Sequence, residues 1–229
     1  MIKQIPNILT LLNLITGILG IINLFDGDYT NTIFFIFLSA FFDFLDGFAA
    51  RVLSVSGAMG KELDSLADVV SFGVLPALYL FQLSRGLGNP YWVNYSAVLV
   101  AALSAYRLAK FNVDTKQTDK FIGLPTPANA LLLTTFAQLP IHLVPTAPLI
   151  LTITVVSSVL LVAPLELLAF KFKSFAFNQN VFRYLLIIVY VVMITALGWG
   201  SLPFLIPTYL FMSIISLIAS KSSEKETSS

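Results

Sequence analysis

Residues 41–73 read FFDFLDGFAARVLSVSGAMGKELDSLADVVSFG and decide the fold. Two strongly apolar runs here carry four aspartates, Asp43, Asp46, Asp64 and Asp68. An ionised carboxylate at a bilayer centre costs ~2.5–3.5 kcal/mol even on the lenient insertion scale. Four at that depth would cost on the order of 10–14 kcal/mol, so something must offset the charge, and a cluster of divalent cations is the natural candidate. Asp43, Asp46, Gly47 and Ala50 fall within about 100° on one helix face. Gly60, Asp64 and Asp68, four apart, share a face of the next helix. The short 51–60 connection makes the two helices antiparallel neighbours, so their carboxylates converge. Hard oxygen ligands suit Mg²⁺, Mn²⁺ or Ca²⁺. Two such ions ~3.5–4 Å apart can clamp the oxygens of an in-line phosphoryl displacement. Arg51, at the end of the same helix, is placed to bind phosphate. The plainer reading, aspartates paired with bases or lining an ion path, is weakened by four acids with interleaved Gly and Ala and few bases nearby.

Outward from this stretch, the 229 residues are 57% hydrophobic and 11% charged, which fits an all-α, polytopic integral membrane helical bundle. Apolar runs predict eight spans, at 7–25, 30–50, 61–82, 92–111, 124–143, 147–168, 181–198 and 202–220. Each is about 17–22 residues, enough to cross ~30 Å of hydrocarbon. Residues 1–220 read as one transmembrane domain and 221–229 as a polar, disordered tail. Twelve of the thirteen basic residues fall at the termini or in loops on one side; only Arg85 falls opposite. That asymmetry predicts both termini in the cytoplasm and the acids toward the cytoplasmic face. With no small-residue cleavage site near Thr16 and Gly17, the first helix reads as retained.

The formal net charge of +1 argues against nucleic-acid binding. The absence of cysteine excludes thiol chemistry and Cys-ligated zinc, and the single His142 leaves little room for a histidine metal site. His142 reads as an interfacial residue at the opposite face. Glu62 points away from the Asp64/Asp68 face.

The spacing Asp43-x2-Asp46-Gly47-x2-Ala50-Arg51-x8-Gly60-x3-Asp64-x3-Asp68 resembles the CDP-alcohol phosphotransferase signature at all eight fixed positions. The early PNILTLLNLITG is also similar to that family's first helix. The resemblance implies that Asp43, Asp46, Asp64 and Asp68 hold two divalent ions, Mg²⁺ or Mn²⁺, at the diphosphate of a CDP-linked donor. It implies Asp68 as the general base for the acceptor hydroxyl. Asp46, Gly47, Ala50, Arg51 and Gly60 would receive the donor. A homodimer is also implied.

Two further stretches, GKELDSLADVVSFGVLPA and YRLAKFNVDTKQTDKFIGLPTPANA, resemble the membrane-integral phosphatidylserine synthases. FKFKSF is similar more loosely. This implies CDP-diacylglycerol and L-serine as substrates, with phosphatidylserine and CMP as products, in an inner membrane with the site facing the cytoplasm. Arg107, Lys110 and Asn112 are the candidates for the serine carboxylate, although positive-inside anchoring explains basic residues at a helix end equally well. Lys116 and Lys120 are explained by topology, and Lys171 and Lys173 equally well by topology or by holding anionic headgroups or donor phosphate. Ser65 and Ser71 flank the acidic face, Ser71 on the Asp68 side, where packing and substrate contact are both open. Competing readings are the same chemistry with glycerol 3-phosphate or inositol phosphate, a divalent-cation transporter, or an inactive lipid-binding scaffold.

Overall fold

The computed structural model describes residues 4–55, 57–113, 121–136, 146–167 and 177–227. His142, Lys116, Lys120, Lys171 and Lys173 lie outside them.

The first helix, α1 (Ile5–Phe25), inverts the pattern of a water-soluble helix. Its buried stripe is Pro6, Thr10, Asn13, Thr16, Gly17, Gly20 and Leu24. Ile8 and Ile15 on its outer face are 54% and 50% exposed, whereas Asn13 is fully buried. Small and polar residues inside with apolar residues outside is the arrangement lipid imposes, because polar side chains find partners only on neighbouring helices. Gly27 (φ +80°) makes the tight turn into α2 (Tyr29–Val52). The Asp28 carboxylate accepts the Asn31 N–H at 3.0 Å and caps α2. These two helices form the most extensive pair in the bundle. At the far end of α2, Ser54 adopts a left-handed conformation (φ 50°) and the Val55 N–H returns to the Ala50 carbonyl at 3.0 Å. That closure ends the helix as a left-handed cap.

The third apolar rod runs from Ala58 to Gly86, longer at both ends than the expected 61–82 span. It is not one regular helix. Helix α3 (Ala58–Asp68) passes into a π segment, Val69–Val74, and then α4 (Leu75–Gly86). The Leu75 N–H bonds Val70 O, one residue further back than in an α-helix. Pro76, at the start of α4, has no N–H to continue the ordinary ladder, and a widened turn just before it accommodates the break. The π segment packs closely on its neighbours. A Cβ on Gly17 would fall within 3.0 Å of the Ser71 backbone, and one on Gly73 would lie 3.1 Å from Ser104 Cβ.

The expected 92–111 span divides into α5 (Tyr91–Ser96) and α6 (Val98–Val113). Helix α7 (Thr126–Phe136) starts at the Pro-Thr-Pro turn, as Pro125 and Pro127 require. Helix α8 (Ala147–Val162) ends short of the expected residue 168 because Pro164 cannot continue it. Glu166–Leu167 instead pairs antiparallel with Phe121–Ile122. This two-residue ladder, with Gly123 N–H on Leu165 O and Leu124 N–H on Leu160 O at 2.8 Å, ties the start of α7 to the end of α8.

Helices α9 (Phe177–Leu197) and α10 (Leu202–Thr227) flank the 3₁₀ turn Gly198–Ser201. The Tyr190 hydroxyl donates to Leu205 O at 2.7 Å. Fifteen residues of straight helix would separate those groups by about 22 Å, so the chain reverses into a hairpin. Residues 221–227, expected in the polar tail, continue α10, since extending a formed helix needs no new nucleus. Apart from that short ladder the described residues make a helical bundle, in which α1, α2, the Ala58–Gly86 rod and the Asn180–Ile218 hairpin are long and apolar enough to cross a membrane.

Substituting Gly17→Val forces α1 off the π segment and is expected to destabilise the protein by about 1–3 kcal/mol. Gly47→Ala faces open space inside α2 and should leave stability unchanged or raise it by up to about 1 kcal/mol. Thermal melts of the two detergent-solubilised variants against the parent check this contrast.

Candidate active site

Helices α2 and α3 bring their carboxylates together. Oxygens of Asp43, Asp64 and Asp68 all lie within 4.8 Å of one another. Asp68 is buried and Asp64 partly so; Asp64 Oδ1 has no hydrogen-bond partner among the described residues. Three converging carboxylates with a buried, unpartnered oxygen fit a hard divalent cation, which supplies the missing positive charge and takes oxygen donors. Asp46 stands outside this group of three. It is buried, and its Oδ2 accepts the Thr10 hydroxyl at 2.7 Å.

Beside the acids lies a cavity of about 440 Å³ between the start of α1, the end of α2 and the start of α3. Asp46, Gly47, Ala50 and Gly60 line it, together with Asn7 and Lys61. Asp64 belongs both to this lining and to the acid group, so the two are contiguous. A side chain at Gly47 would project into open space, and one at Gly60 would come within 3.2 Å of Asn7 Oδ1. Glycine at these positions keeps the cavity wide and lets α3 approach α1. Arg51 is exposed in the last turn of α2 and is not among the lining residues. Glu62 is exposed, in keeping with its position off the acidic face.

Helix α1 holds the acids in place, a role that the sequence reading did not give to individual residues. The Asn13 amide donates to Asp68 Oδ1 at 3.0 Å. Its backbone carbonyl accepts the hydroxyls of Ser71 (3.0 Å), Ser39 (3.3 Å) and Thr16 (2.9 Å). Ser71 is therefore a packing residue: it is fully buried and donates to α1. The available signal was the run Asn7, Thr10, Asn13, Thr16 at three-residue spacing along an otherwise apolar helix.

The three basic and amide residues expected at the end of α6 separate. Arg107 is partly buried, its Nε has no partner among the described residues, and Asp68 is the acid whose charge bears on it. Asn112 instead donates to Ser65 Oγ at 2.8 Å, and Lys61 Nζ donates to the Asn112 carbonyl at 2.6 Å. These bonds tie α6 to α3 and satisfy a carbonyl near its C-terminus. Lys110 is exposed.

The model of the CDP-alcohol phosphatidyltransferase family matches residues 3–206. The chain belongs to that family. It is 42% identical over 141 residues to a CDP-diacylglycerol–serine O-phosphatidyltransferase of Methanocaldococcus jannaschii, covering 60% of this chain and 62% of that protein. It is 36% identical over 143 residues to the protein of the same name in Bacillus subtilis, covering 62% and 80%. It is 35% identical over 135 residues to an archaetidylserine synthase of Methanothermobacter thermautotrophicus, covering 58% and 57%. The matched stretch thus spans about three fifths of the archaeal relatives and four fifths of the bacterial one.

In this family member, Asp64→Asn should abolish high-affinity Mn²⁺ binding, and Asn13→Leu, which frees Asp68, should weaken it about 10-fold. Glu62→Gln should leave it unchanged. Mn²⁺ titration followed by electron paramagnetic resonance measures all three.

Proposed function

We propose that this protein transfers a phosphatidyl group from CDP-diacylglycerol to the hydroxyl of L-serine, giving phosphatidylserine and CMP. The observation that carries the reading is the contiguity of a three-carboxylate group with a glycine-lined cavity through Asp64. The cavity suits the nucleotide diphosphate of the donor, and serine is common to the names of the similar proteins.

In this reading Asp43, Asp46, Asp64 and Asp68 hold two divalent ions, Mg²⁺ or Mn²⁺. Bound there, such ions neutralise the diphosphate and make CMP a better leaving group. Asp46, Gly47, Ala50 and Gly60 receive the donor against α2 and α3. Lys61, at the cavity rim, and Arg51, nearby at the end of α2, supply positive charge for its phosphates. Asp68 takes the proton of the serine hydroxyl as that oxygen bonds to phosphorus and the bond to CMP breaks. Asn13 orients the Asp68 carboxylate for this step. Arg107 receives the serine carboxylate. Lys110 and Asn112, also expected there from the sequence, are placed for topology and for joining α6 to α3.

The membrane arrangement belongs to the same proposal. Eight spans, with both termini and the acids toward the cytoplasm of an inner membrane, follow the distribution of basic residues. Water-soluble serine then reaches the site from the cytoplasm, and the lipid donor from the bilayer. The chain works as a homodimer, by family resemblance.

Purified protein given CDP-diacylglycerol, Mn²⁺ and an acceptor panel should release CMP with serine. Turnover with glycerol 3-phosphate or inositol phosphate but not serine would overturn the acceptor, and metal flux into liposomes without CMP release would favour a transporter. Asp68→Asn is expected to abolish turnover while donor binding partly survives; near-normal turnover removes Asp68 as the base. Arg107→Ala should raise the serine KM more than the donor KM, whereas equal changes would indicate a structural role.

A further inference from the structure

Behind the acid group, on the wall made by α6, α7 and α8, three buried residues carry polar atoms with no hydrogen-bond partner among the described residues. They are Ser104 Oγ, both amide atoms of Asn129, and Ser158 Oγ. Ser104 and Asn129 are fully buried and Ser158 is 1% exposed. Other buried hydroxyls on this wall bond their own helices: Thr154 to Ile150 O at 2.7 Å, and Ser157 to Thr154 O at 3.2 Å. A buried amide with neither atom paired is costly and calls for a partner.

Helix register puts these groups at one level. Ala77, Val100 and Leu133 share an apolar cluster against which Ile153 packs. One turn away, on the same helix faces, stand Gly73, Ser104, Asn129 and Ser157, four residues from each in turn. Ser158, the next residue of the buried stripe of α8, lies at the same height about 100° further around that helix. The 2.8 Å bond from Leu124 N–H to Leu160 O fixes the same antiparallel register between α7 and α8 from their other ends. The close approach of Gly73 to Ser104 places the level against the π segment. The direction of the step is toward the acids: Asp68 lies five residues beyond Gly73, and Arg107 lies three beyond Ser104.

The geometry points to this level as the binding site for the ammonium group of the acceptor amino acid, formed by Asn129 Oδ1, Ser104 Oγ and Ser158 Oγ. An ammonium has three donors, and these are three neutral oxygen acceptors. Arg107 lies nearer the acids and takes the carboxylate, so the two charged ends of one amino acid are held at successive turns of α6. Its hydroxyl is then left for Asp68. Neutral oxygens discriminate by hydrogen bonding: an acceptor without the amine leaves all three oxygens without a donor, whereas one with it supplies a donor to each. The inference rests on the serine reading and adds the residues that recognise the amine.

The test compares L-serine with 3-hydroxypropionate, which keeps the hydroxyl and carboxylate but lacks the amine. Asn129→Leu, nearly isosteric and apolar, is expected to raise the serine KM at least tenfold and to leave the inhibition constant of 3-hydroxypropionate within twofold. Ser104→Ala and Ser158→Ala should shift the same ratio in the same direction. The ligand-free Asn129→Leu protein should melt no lower than the parent, since an unpaired amide is removed. Equal weakening of both ligands, or an unchanged serine KM with a lower melting temperature, would overturn the inference and make the layer structural. If the parent turns over serine and the variants fail the pattern, only this inference falls; if the parent does not use serine, the acceptor reading falls with it.

Discussion

Lipid offers no hydrogen bonds, and the structure depends on how one residue answers that constraint. Asn13 spends its side-chain amide on Asp68 and its main-chain carbonyl on hydroxyls from α2 and the π segment. A single position on α1 thereby fixes the two rods that carry the acids. Thr16 and Ser39, 2.7 Å apart, add a second link between α1 and α2 one turn further along. Once those helices are set, the antiparallel pairing of α2 with α3 makes Asp43, Asp64 and Asp68 converge. Their mutual repulsion is then a feature of the fold that a bound cation would relieve, which would couple stability of the site to its chemistry.

The π segment is the second consequence of that packing. It begins at the residue after Asp68 and ends just before Leu75 and Pro76. A regular helix there would rotate Ser71 and Gly73 relative to the acids; the widened turn instead turns Ser71 to the Asn13 carbonyl and Gly73 to Ser104. The same few residues therefore join the acidic wall, on α2 and α3, to the wall of α6, α7 and α8. Asp68 stands where those two walls meet: the Asn13 amide of α1 bonds it, and its charge bears on Arg107 of α6.

Much of this was legible in the sequence, for reasons that are local. Aspartates three and four residues apart share a helix face whatever surrounds them, so the grouping of Asp43 with Asp64 and Asp68 followed from spacing and a short loop. The positions of the apolar rods followed from run length. The rest was tertiary. Whether Asp46 joined the other acids or faced the cavity depended on Thr10, a residue 36 positions away. That Asn112 bonds Ser65 and accepts Lys61 on its carbonyl could not be read from its place at a helix end. The early end of α8 was written in Pro164, a local signal, but the pairing of Glu166–Leu167 with Phe121–Ile122 was not. Asn129 sat unnoticed after Pro127, because only packing reveals that both its amide atoms are buried and unpaired among the described residues.

The central claim is that Asp43, Asp64 and Asp68 hold divalent metal beside a nucleotide cavity bounded by α1, α2 and α3. Anomalous diffraction from crystals grown with Mn²⁺ and a CDP-linked lipid tests it most directly. The account predicts manganese peaks among these carboxylates, with the cytidine diphosphate against Gly47, Ala50 and Gly60. Manganese bound elsewhere, or a nucleotide seated away from that cavity, would contradict it.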